Sequence, residues 1–257
     1  MKCLVTGGAG FIGSNLVNKL IKDGHDVVIV DDLSTGKKDN IHPKAEAWIV
    51  DISDVNEYWD EIFDNIDVVF HTAAKARVQP SIKNPMEFNN VNVSGTLNML
   101  KCCVDYGVSR FIYSSSSSVY GNVEQLPTPE EHKLNPMSPY ALQKLIGEQY
   151  CKLYSELHGL ETVCLRYFNV YGDGMSLEGA YKLVIPIFTD QMLRGAPMTI
   201  RGDGNQRRDF TYVGDVVDAN IKCATNLGVE FNGEVFNIGN GDNRSVNQIA
   251  TMMGGSR

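Results

Sequence analysis

A tyrosine and a lysine four residues apart, Tyr140 and Lys144, have the spacing of a proton-transferring pair. They fall at the start of a helix that Ser138 and Pro139 open, so the two side chains share one helical face. An unperturbed tyrosine has a pKa of about 10, which is too high for an effective base at neutral pH. A nearby ammonium or a cationic cofactor ring favours the phenolate and lowers that pKa. The spacing therefore predicts that Tyr140 takes the proton of a hydroxyl group during an oxidation.

A run of serines at residues 114–118 follows a predicted buried strand at residues 111–113. In a parallel sheet, catalytic groups lie just beyond the carboxyl ends of the strands. We expect Ser116, in a loop after this strand, to hold the reacting oxygen by a hydrogen bond. The run leaves the register open, because Ser115 or Ser117 could take the same role.

A glycine-rich segment near the beginning of the chain has the chemistry of a dinucleotide site. Gly7, Gly10 and Gly13 lie between a predicted strand, Lys2–Thr6, and a predicted helix, Phe11–Lys22. The first two glycines permit a tight turn and a close approach to a pyrophosphate, and the third lets the helix pack against the strand. The start of the helix adds unpaired N–H groups and a partial positive charge. The segment therefore predicts that phosphates of a dinucleotide bind here.

Asp31 follows the second predicted strand, residues 27–30, and indicates which dinucleotide binds. Its carboxylate can accept hydrogen bonds from the adenosine ribose and repels a 2′-phosphate, and Asp32 adds to that field. Asp51 and Ile52, after the third predicted strand, offer a carboxylate and an apolar contact to an adenine ring. Either aspartate could instead be an ordinary residue that begins a turn. The predicted cofactor is NAD rather than NADP.

The alternation of apolar runs with helical patterns predicts an α/β fold, a Rossmann-type doubly wound parallel sheet with a smaller C-terminal substrate-binding lobe. Residues 1–168 form the predicted NAD-binding domain, to which residues 213–239 return. Residues 169–212 and 240–257 form the predicted lobe, shortened at its C-terminus. Further predicted strands are residues 48–50, 68–70, 162–166 and 235–238, and further predicted helices are residues 55–63, 86–106, Pro139–His158 and 215–227.

The composition excludes several classes of protein. A net charge of −8 and a pI near 5.1 argue against general nucleic-acid binding, because nucleic-acid phosphates attract basic surfaces. The six cysteines show neither a CxxC pair nor a metal-ligand spacing, so we expect no disulfide framework and no metal site. No apolar stretch approaches the roughly 18 residues of a membrane span, and glycines interrupt the first apolar run. We expect a cytoplasmic protein that binds no membrane.

Together these motifs resemble the extended short-chain dehydrogenases/reductases. The segments TGGAGFIG, VNVSGT, SSSSVYG, SPYALQK, LRYFNVYG and GDGNQRRDFTYVGDVV occur in the order seen in that superfamily. Within it the chain most resembles the nucleotide-sugar 4-epimerases of the UDP-glucose and UDP-N-acetylglucosamine type. The resemblance implies hydride transfer from C4 of the sugar to a tightly bound NAD, a 4-keto intermediate and re-reduction. It also implies a homodimer formed through the helices near residues 88–105 and 140–157.

The same resemblance implies the residues of the site. The expected catalytic triad is Ser116, Tyr140 and Lys144, and the expected contacts to the UDP-sugar come from Ser116, Asn169 and Arg208. The expected NAD contacts are Gly7, Gly10, Phe11, Ile12, Gly13, Asp31, Asp32, Asp51, Ile52, Ala73, Ala74, Asn92, Ser114, Tyr140, Lys144 and Tyr167, the last near the nicotinamide. Taken outside its motif, Arg208 would read as a solvated surface charge.

Related reactions are distinguished by the residues after the fifth strand. Nucleotide-sugar 4,6-dehydratases carry Thr-Asp-Glu where this chain has Ser116, Ser117 and Ser118. Decarboxylases tend to carry Glu at the third of these positions. All-serine positions favour simple oxidation and re-reduction at C4. Related enzymes also continue for several dozen residues beyond the segment corresponding to residues 245–253. A dehydratase, a decarboxylase and a non-catalytic NAD-binding protein therefore remain as alternatives.

Overall fold

A parallel sheet forms the centre of the protein in a computed structural model that describes residues 1–54, 57–175, 183–226 and 228–254. In these ranges the strands are β1 (Lys2–Thr6), β2 (Asp26–Asp31), β3 (Glu46–Ile49), β4 (Val68–His71), β5 (Arg110–Ser116), β6 (Glu161–Tyr167), β7 (Val170–Tyr171), β8 (Arg207–Asp209), β9 (Thr211–Tyr212), β10 (Asn232–Ile238) and β11 (Asn243–Ser245). The described residues build a seven-stranded sheet in the order β10-β6-β5-β4-β1-β2-β3. The connection reverses direction between β1 and β4, where doubly wound sheets open a crevice for ligands.

Helices cover both faces of this sheet. Over the same ranges they are α1 (Phe11–Lys22), α2 (Trp59–Ile62), α3 (Val78–Lys83), α4 (Pro85–Asn89), α5 (Thr96–Asp105), α6 (Pro139–His158), α7 (Val184–Leu193), α8 (Val213–Thr225) and α9 (Val246–Met252). Successive side chains of a strand point to opposite faces, so Leu4 packs in the cluster of Leu100 while Val5 packs in that of Leu16. The strands are apolar on both faces for this reason. The predicted Rossmann-type sheet is confirmed.

The helix predicted over residues 86–106 forms without a break, but it is not α-helical throughout. The chain forms α4, then a π-helical segment, Asn90–Gly95, and then α5. Within that segment the Asn92 side chain accepts a hydrogen bond from the Lys75 N–H (2.8 Å) and donates one to the Lys75 carbonyl (3.0 Å). A Cβ on Gly95 would lie 2.8 Å from the Ile52 side chain, so the segment also packs closely there. The spacing of apolar residues in the sequence does not reveal these tertiary contacts, and a local π turn leaves that spacing nearly unchanged.

Other element boundaries also differ from the predictions. Ser116 is the last residue of β5, because it pairs with Tyr167 of β6, and it does not lie in a loop beyond the strand. The helix predicted at residues 55–63 is confined to Trp59–Ile62 among the described residues, and residues 55–56 lie outside them. The helix predicted at residues 215–227 is α8, and residue 227 lies outside the described residues.

A separate apolar cluster lies outside the main sheet. Phe188 of α7 and Val246, Ile249 and Ala250 at α9 are its buried members. The antiparallel pair of β8 and β11 and the parallel pair of β7 and β9 lie in the same part of the sequence. These segments belong to the predicted lobe, of which residues 176–182 and 255–257 lie outside the described ranges. The division into two domains stays a prediction.

The described ranges contain neither a helix suited to crossing a membrane nor a candidate metal site. None of the helices there combines the length and the apolar character that crossing a membrane requires. The same ranges hold no group of three or more His, Cys, Asp or Glu side chains arranged to bind a metal ion. All six cysteines are free, and five of them are buried, since only Cys223 is partly exposed.

Candidate active site

A cleft of about 3250 Å³ runs along the carboxyl ends of the central strands. Its walls include the glycine turn after β1, the end of β2, the segment after β4 and the serines at the end of β5. Residues 199–209 of the predicted lobe line the opposite side in part. A single small-molecule site has roughly 300–1,000 Å³. The cleft therefore has room for a dinucleotide together with a second ligand.

The glycine turn fits a pyrophosphate because its backbone has no space for side chains. Gly7 has a φ of +71°, and a Cβ on it would lie 2.7 Å from the Ala73 nitrogen. A Cβ on Gly13 would lie 2.1 Å from the Gly7 carbonyl oxygen, so only glycine lets α1 start this close to the turn. Gly10 precedes α1, whose first N–H groups receive no side-chain cap. The start of the helix is consequently available to an anion.

Asp31 ends β2 with its carboxylate fixed by backbone hydrogen bonds. Its Oδ2 accepts from the Ala9 N–H and its Oδ1 from the Leu33 N–H, both at 2.9 Å. Burial raises the pKa of Asp31, and the two backbone hydrogen bonds oppose that rise. Each oxygen keeps a further acceptor position, which suits ribose hydroxyls. Asp32 and Asp51 also line the cleft.

The three residues expected to do the chemistry come together where β5 meets the start of α6. Burial raises the pKa of Tyr140, and the Ser116 side chain opposes that rise in part. Lys144 Nζ donates a 2.7 Å hydrogen bond to the Ser114 carbonyl and lies 4.9 Å from the centre of the Tyr113 ring. Burial lowers the pKa of Lys144 to about 8. The arrangement can hold and move one proton at the Tyr140 oxygen.

The serines of residues 114–118 differ in their contacts. The Ser114 hydroxyl is hydrogen-bonded to the Tyr167 hydroxyl at 3.0 Å, and the Ser115 hydroxyl donates to Glu148 Oε1 at 2.5 Å. Both hydroxyls are therefore occupied by residues away from Tyr140. Ser116 and Ser117 both line the cleft, and the Ser116 side chain is the one that influences the pKa of Tyr140. The choice of Ser116 over Ser117 stays a prediction.

Some expected cofactor residues lie behind the cleft wall instead of on it. Asn92 is 1% exposed and its amide also donates to Gln143 Oε1 at 3.0 Å, so its polar atoms are engaged within the protein. Ser114 and Lys144 are likewise buried. Direct contact of these residues with NAD stays a prediction. The remaining expected NAD contacts line the cleft, and these are Gly7, Gly10, Phe11, Ile12, Gly13, Asp31, Asp32, Asp51, Ile52, Ala73, Ala74, Tyr140 and Tyr167.

The expected substrate residues lie on the side of the cleft nearest the predicted lobe. Asn169 has a φ of +29° and its Nδ2 donates to the Asp209 carbonyl at 2.8 Å. Arg208 is exposed in β8, and its Nη1 donates to the Arg207 carbonyl at 2.7 Å. Both residues line the cleft. Arg208 therefore lies on the wall of the cleft, and its binding of a diphosphate stays a prediction.

Sequence reasoning missed several charged residues of the cleft. Lys75 follows β4 and pairs with Glu87 at 3.0 Å, and both line the cleft. Arg77 also lines it and has a φ of +89°, which is unusual for a residue with a side chain. A signal was present, since a basic residue directly after a buried parallel strand falls at the ligand-binding edge of the sheet.

A search against protein families decides the relationship. The model of the NAD dependent epimerase/dehydratase family matches residues 3–239, which span both the glycine turn and the Ser116–Tyr140 pair. The chain belongs to this family. Family membership accounts for the NAD-type glycine turn and for the serine, tyrosine and lysine that meet beside it.

Members of the NAD dependent epimerase/dehydratase family with different names resemble the chain. A UDP-glucose 4-epimerase of Mycolicibacterium smegmatis is 38% identical over 262 residues, which cover 100% of this chain and 82% of that protein. A UDP-N-acetyl-alpha-D-glucosaminuronate decarboxylase of Bacillus cytotoxicus is 37% identical over 258 residues, 97% of this chain and 78% of that protein. The crystal structure of UDP-glucose 4-epimerase with UDP-glucose from Thermotoga maritima has a TM-score of 0.91 and 42% identity, over 98% of this chain and 81% of that one.

Proposed function

We propose that this chain is an NAD-dependent nucleotide-sugar 4-epimerase that acts on UDP-glucose and UDP-galactose or on their N-acetyl forms. The observation that carries the proposal is that Ser116 and Tyr140 line the same cleft as the glycine turn, with buried Lys144 one helical turn after Tyr140 on α6. The likeness to a UDP-glucose 4-epimerase whose crystal structure holds UDP-glucose supports the choice of substrate.

The glycine turn and Asp31 are the residues that would hold NAD. The crowding around Gly7 and Gly13 leaves backbone as the only surface that a pyrophosphate meets there. The free acceptor positions of Asp31 suit the adenosine ribose and repel a 2′-phosphate. When bound, NAD supplies a hydride acceptor for C4 of the sugar and returns the hydride later.

The chain's own residues control the proton on the C4 oxygen. Tyr140 takes the hydroxyl proton as C4 is oxidised, and Ser116 keeps the oxygen in place by a hydrogen bond. The Lys144 ammonium favours the phenolate form of Tyr140, because opposite charges stabilise one another strongly where water is excluded. Tyr140 gives the proton back when the 4-keto sugar is reduced. The configuration inverts only if hydride returns to the other face of the sugar, and the wide cleft leaves room for the sugar to turn.

The diphosphate of the substrate needs cations that an acidic chain must supply locally. Arg208 on β8 is suited to this role because a guanidinium binds phosphate oxygens through two hydrogen bonds. Asn169, whose carbonyl side of the amide is not used in its bond to Asp209, is placed to bind the sugar nucleotide. We assign these residues to a substrate-binding lobe formed by residues 169–212 and 240–257.

A decarboxylase is the second candidate, since a relative of that name is 37% identical. The residues at the end of β5 favour the epimerase. Elimination of water calls for a further acid and base, and decarboxylases tend to carry Glu at the third of these positions, whereas Ser116, Ser117 and Ser118 provide hydroxyls only. Simple transfer of hydride and a proton needs nothing beyond Tyr140 and its partners.

We further propose that the protein is cytoplasmic and acts as a homodimer. The free cysteines are those expected in a reducing compartment. Helix α6 carries exposed apolar side chains, among them Leu142, Leu153 and Leu157, which a second copy could cover. The dimer would thereby fix the helix that carries Tyr140 and Lys144.

The test is direct turnover of defined sugars. Purified protein is incubated with UDP-glucose, UDP-galactose and their N-acetyl forms without added cofactor, and the products are separated by chromatography. We expect interconversion of the 4-epimers with the NAD that co-purifies. Formation of a 4-keto-6-deoxy sugar, or release of carbon dioxide from a UDP-uronate, would replace the epimerase by a dehydratase or a decarboxylase. Bound NAD without any turnover would favour a non-catalytic role.

A further inference from the structure

A buried ion pair lies directly behind the candidate catalytic residues. Glu148 is one helical turn after Lys144 on α6, and Arg166 is the penultimate residue of β6. Arg166 donates from Nη2 to Glu148 Oε2 at 2.7 Å and from Nε to Glu148 Oε1 at 2.9 Å, and both residues are 3% exposed. Burying such a pair adds little stability over an apolar pair of similar volume. The pair therefore invites an explanation other than stability.

Glu148 holds the end of the catalytic strand against α6. Its Oε1 accepts the 2.5 Å hydrogen bond from the hydroxyl of Ser115, the neighbour of Ser116 in β5. The strand and the helix that present the two reacting hydroxyls are consequently joined at this buried carboxylate as well as by the hydrogen bond from Lys144 to the Ser114 carbonyl. A shift of this carboxylate would change the distance between Ser116 and Tyr140.

Arg166 extends the same network to the wall of the cleft. Its Nη1 donates to the Tyr120 hydroxyl at 2.7 Å and to the Glu130 carbonyl at 3.1 Å. Asn237 of β10 holds the same wall, since its Nδ2 donates to the Thr128 carbonyl at 2.9 Å and its N–H donates to Glu130 Oε1 at 2.9 Å. Thr128, Glu130 and Tyr120 line the cleft. Arg166 thus connects the catalytic strand to the surface that faces a ligand.

The charge of Glu148 also acts on Lys144. The titratable groups around Lys144 are His71 on β4, Tyr113 on β5, Cys164 on β6, and Tyr140, Glu148 and Cys151 on α6. Burial lowers the pKa of His71 to about 3 and raises the pKa of Tyr113 well above its usual range, while a hydrogen bond with Cys151 and burial raise the pKa of Cys164, so these groups stay uncharged near neutral pH. Cys151 and, to a smaller extent, the Glu148 carboxylate raise the pKa of Lys144 and oppose the effect of burial. Arg166 anchors that carboxylate in place.

We infer that Glu148 and Arg166 are positioning residues, which set the register of Ser116 against Tyr140, hold the Thr128–Glu130 wall and keep a carboxylate beside Lys144. The inference rests on the proposed function for its kinetic consequence. It gives the pair a role in turnover that acts through Ser115 and α6, without any contact between the pair and the substrate.

The first test preserves charge and changes geometry. Arg166→Lys keeps a cation but loses the two-pronged contact with Glu148, and a displacement of about 1 Å at a reacting group can cost roughly 100-fold in rate. We expect kcat per NAD-bound site to fall about 10-fold to 100-fold, with NAD affinity within about twofold of wild type. Glu161→Gln is the matched control, because it breaks the Arg110–Glu161 ion pair at the opposite ends of the same two strands. It should lower the Tm while leaving kcat unchanged.

The second test protects against misfolding. A double variant, Glu148→Leu with Arg166→Met, removes both members of the ion pair together, so neither is left as a buried ion without its partner. We expect a folded protein that binds NAD and has the same kcat loss as Arg166→Lys. Wild-type kcat in this variant would overturn the inference, since the pair would then serve packing alone.

The third test needs no turnover. Lys144 is titrated by NMR of 13C-labelled lysine, with its signal assigned from Lys144→Met. Glu148→Gln should lower the pKa of Lys144, whereas Arg166→Lys should shift it much less; an unchanged pKa in Glu148→Gln would contradict the electrostatic part. An inactive wild type would refute the proposed function but leave this titration valid. Active wild type with an active double variant would refute the positioning role alone.

Discussion

Tyr140 needs help to act as a base, because its surroundings in the free protein favour the phenol. Burial raises its pKa, and the Ser116 side chain opposes that rise only in part. Lys144 has a pKa near 8, so it carries a proton at neutral pH in most molecules. The phenolate therefore depends on the cation beside it and on the cofactor that binds in the cleft. Substitutions at these two residues should distinguish effects on NAD binding from effects on proton transfer.

Tyr140→Phe should remove the proton-accepting oxygen and leave the ring in place. We expect kcat to fall by about 10²-fold to 10⁴-fold, the usual contribution of a general base, with NAD affinity unchanged. The measurement is epimerisation of UDP-glucose together with titration of NAD by fluorescence. Tyr150→Phe, on the same helix and half-buried, is the control and should keep wild-type activity. Undiminished turnover in Tyr140→Phe would show that another group is the base.

The pKa of Lys144 gives a pH dependence of stability with a definite sign. The folded protein holds this lysine at a pKa of about 8, below its ordinary value of 10.5, so the unfolded chain binds more protons between these two values. Wild type should therefore gain stability relative to Lys144→Met as the pH rises from about 8 to 10.5, by on the order of 3 kcal/mol. Urea unfolding of both proteins across this range measures the difference. If wild type gains no stability relative to Lys144→Met over this pH range, the result would argue against a buried ammonium.

The loss of the same proton from Lys144 should lower kcat over the pH range in which it raises the relative stability of the wild type. Above pH 8 the Lys144 ammonium is progressively lost, and with it the charge that favours the Tyr140 phenolate. We expect kcat to decline on the alkaline side, with an apparent pKa that belongs to the Tyr140–Lys144 pair as a whole. A pH–rate profile that still rises above pH 9 would contradict the assigned role of Lys144.

Asp31 should decide between NAD and NADP. Its ionised carboxylate accepts ribose hydroxyls and repels a 2′-phosphate, and Asp31→Asn removes the charge with little change in shape. We expect NAD affinity to fall about tenfold and the preference for NAD over NADP to narrow. Competition titrations with both dinucleotides measure the ratio. Asp32→Asn is the control at the exposed neighbouring position and should have the smaller effect.

The elements that carry these residues could be predicted from the sequence, because their signals are local. A buried strand, a glycine turn and a helix follow one another in Lys2–Lys22, and the serine cap with proline gave α6 its start at Pro139. The π-helical segment Asn90–Gly95 could not be predicted, because the Lys75 backbone that Asn92 contacts is distant in the sequence. The serine register was equally hidden, since it depends on which partner each hydroxyl meets across the sheet.

The buried network around Glu148 illustrates the same limit at the level of packing. Its position four residues after Lys144 places it on the catalytic face of α6, which the sequence does show. Its partner Arg166 lies in β6, and a charged residue in a buried parallel strand contradicts the apolar pattern of that strand. Such a contradiction is a sequence signal in its own right, because a buried charge requires a partner. The identity of the partner comes only from the fold.

The contact between α1 and the glycine turn predicts different effects for two glycines. Gly13→Ala places a methyl group 2.1 Å from the Gly7 carbonyl oxygen, so α1 must move away from the turn. We expect a lower Tm and at least a tenfold loss of NAD affinity. Gly10→Ala meets only the Gly7 oxygen, at 3.2 Å, and should weaken NAD binding with little change in Tm. Thermal unfolding and NAD titration distinguish them, and equal Tm losses would contradict the packing argument.

At the scale of the whole molecule, the helix that carries the catalytic pair also presents apolar side chains on its surface. Leu142, Ile146, Tyr150, Leu153 and Leu157 recur at intervals of three or four along α6 and form one stripe. Leu142, Leu153 and Leu157 are exposed, and the other two are partly so. The opposite face of α6 packs on the sheet through Lys144 and its neighbours. A partner that covers the apolar stripe would therefore also hold the catalytic end of α6 in place.

The proposed homodimer makes this stripe its interface, and a charge placed there should separate the subunits. Leu153→Glu with Leu157→Glu should convert the protein from a dimer to a monomer in light scattering at micromolar concentration, because two like charges would be buried opposite their symmetry copies. Leu193→Glu, at a 74% exposed residue of α7, is the control and should leave the mass unchanged. A wild-type monomer would exclude the dimer. A monomeric variant with full kcat would show that dimerisation is independent of the catalytic helix.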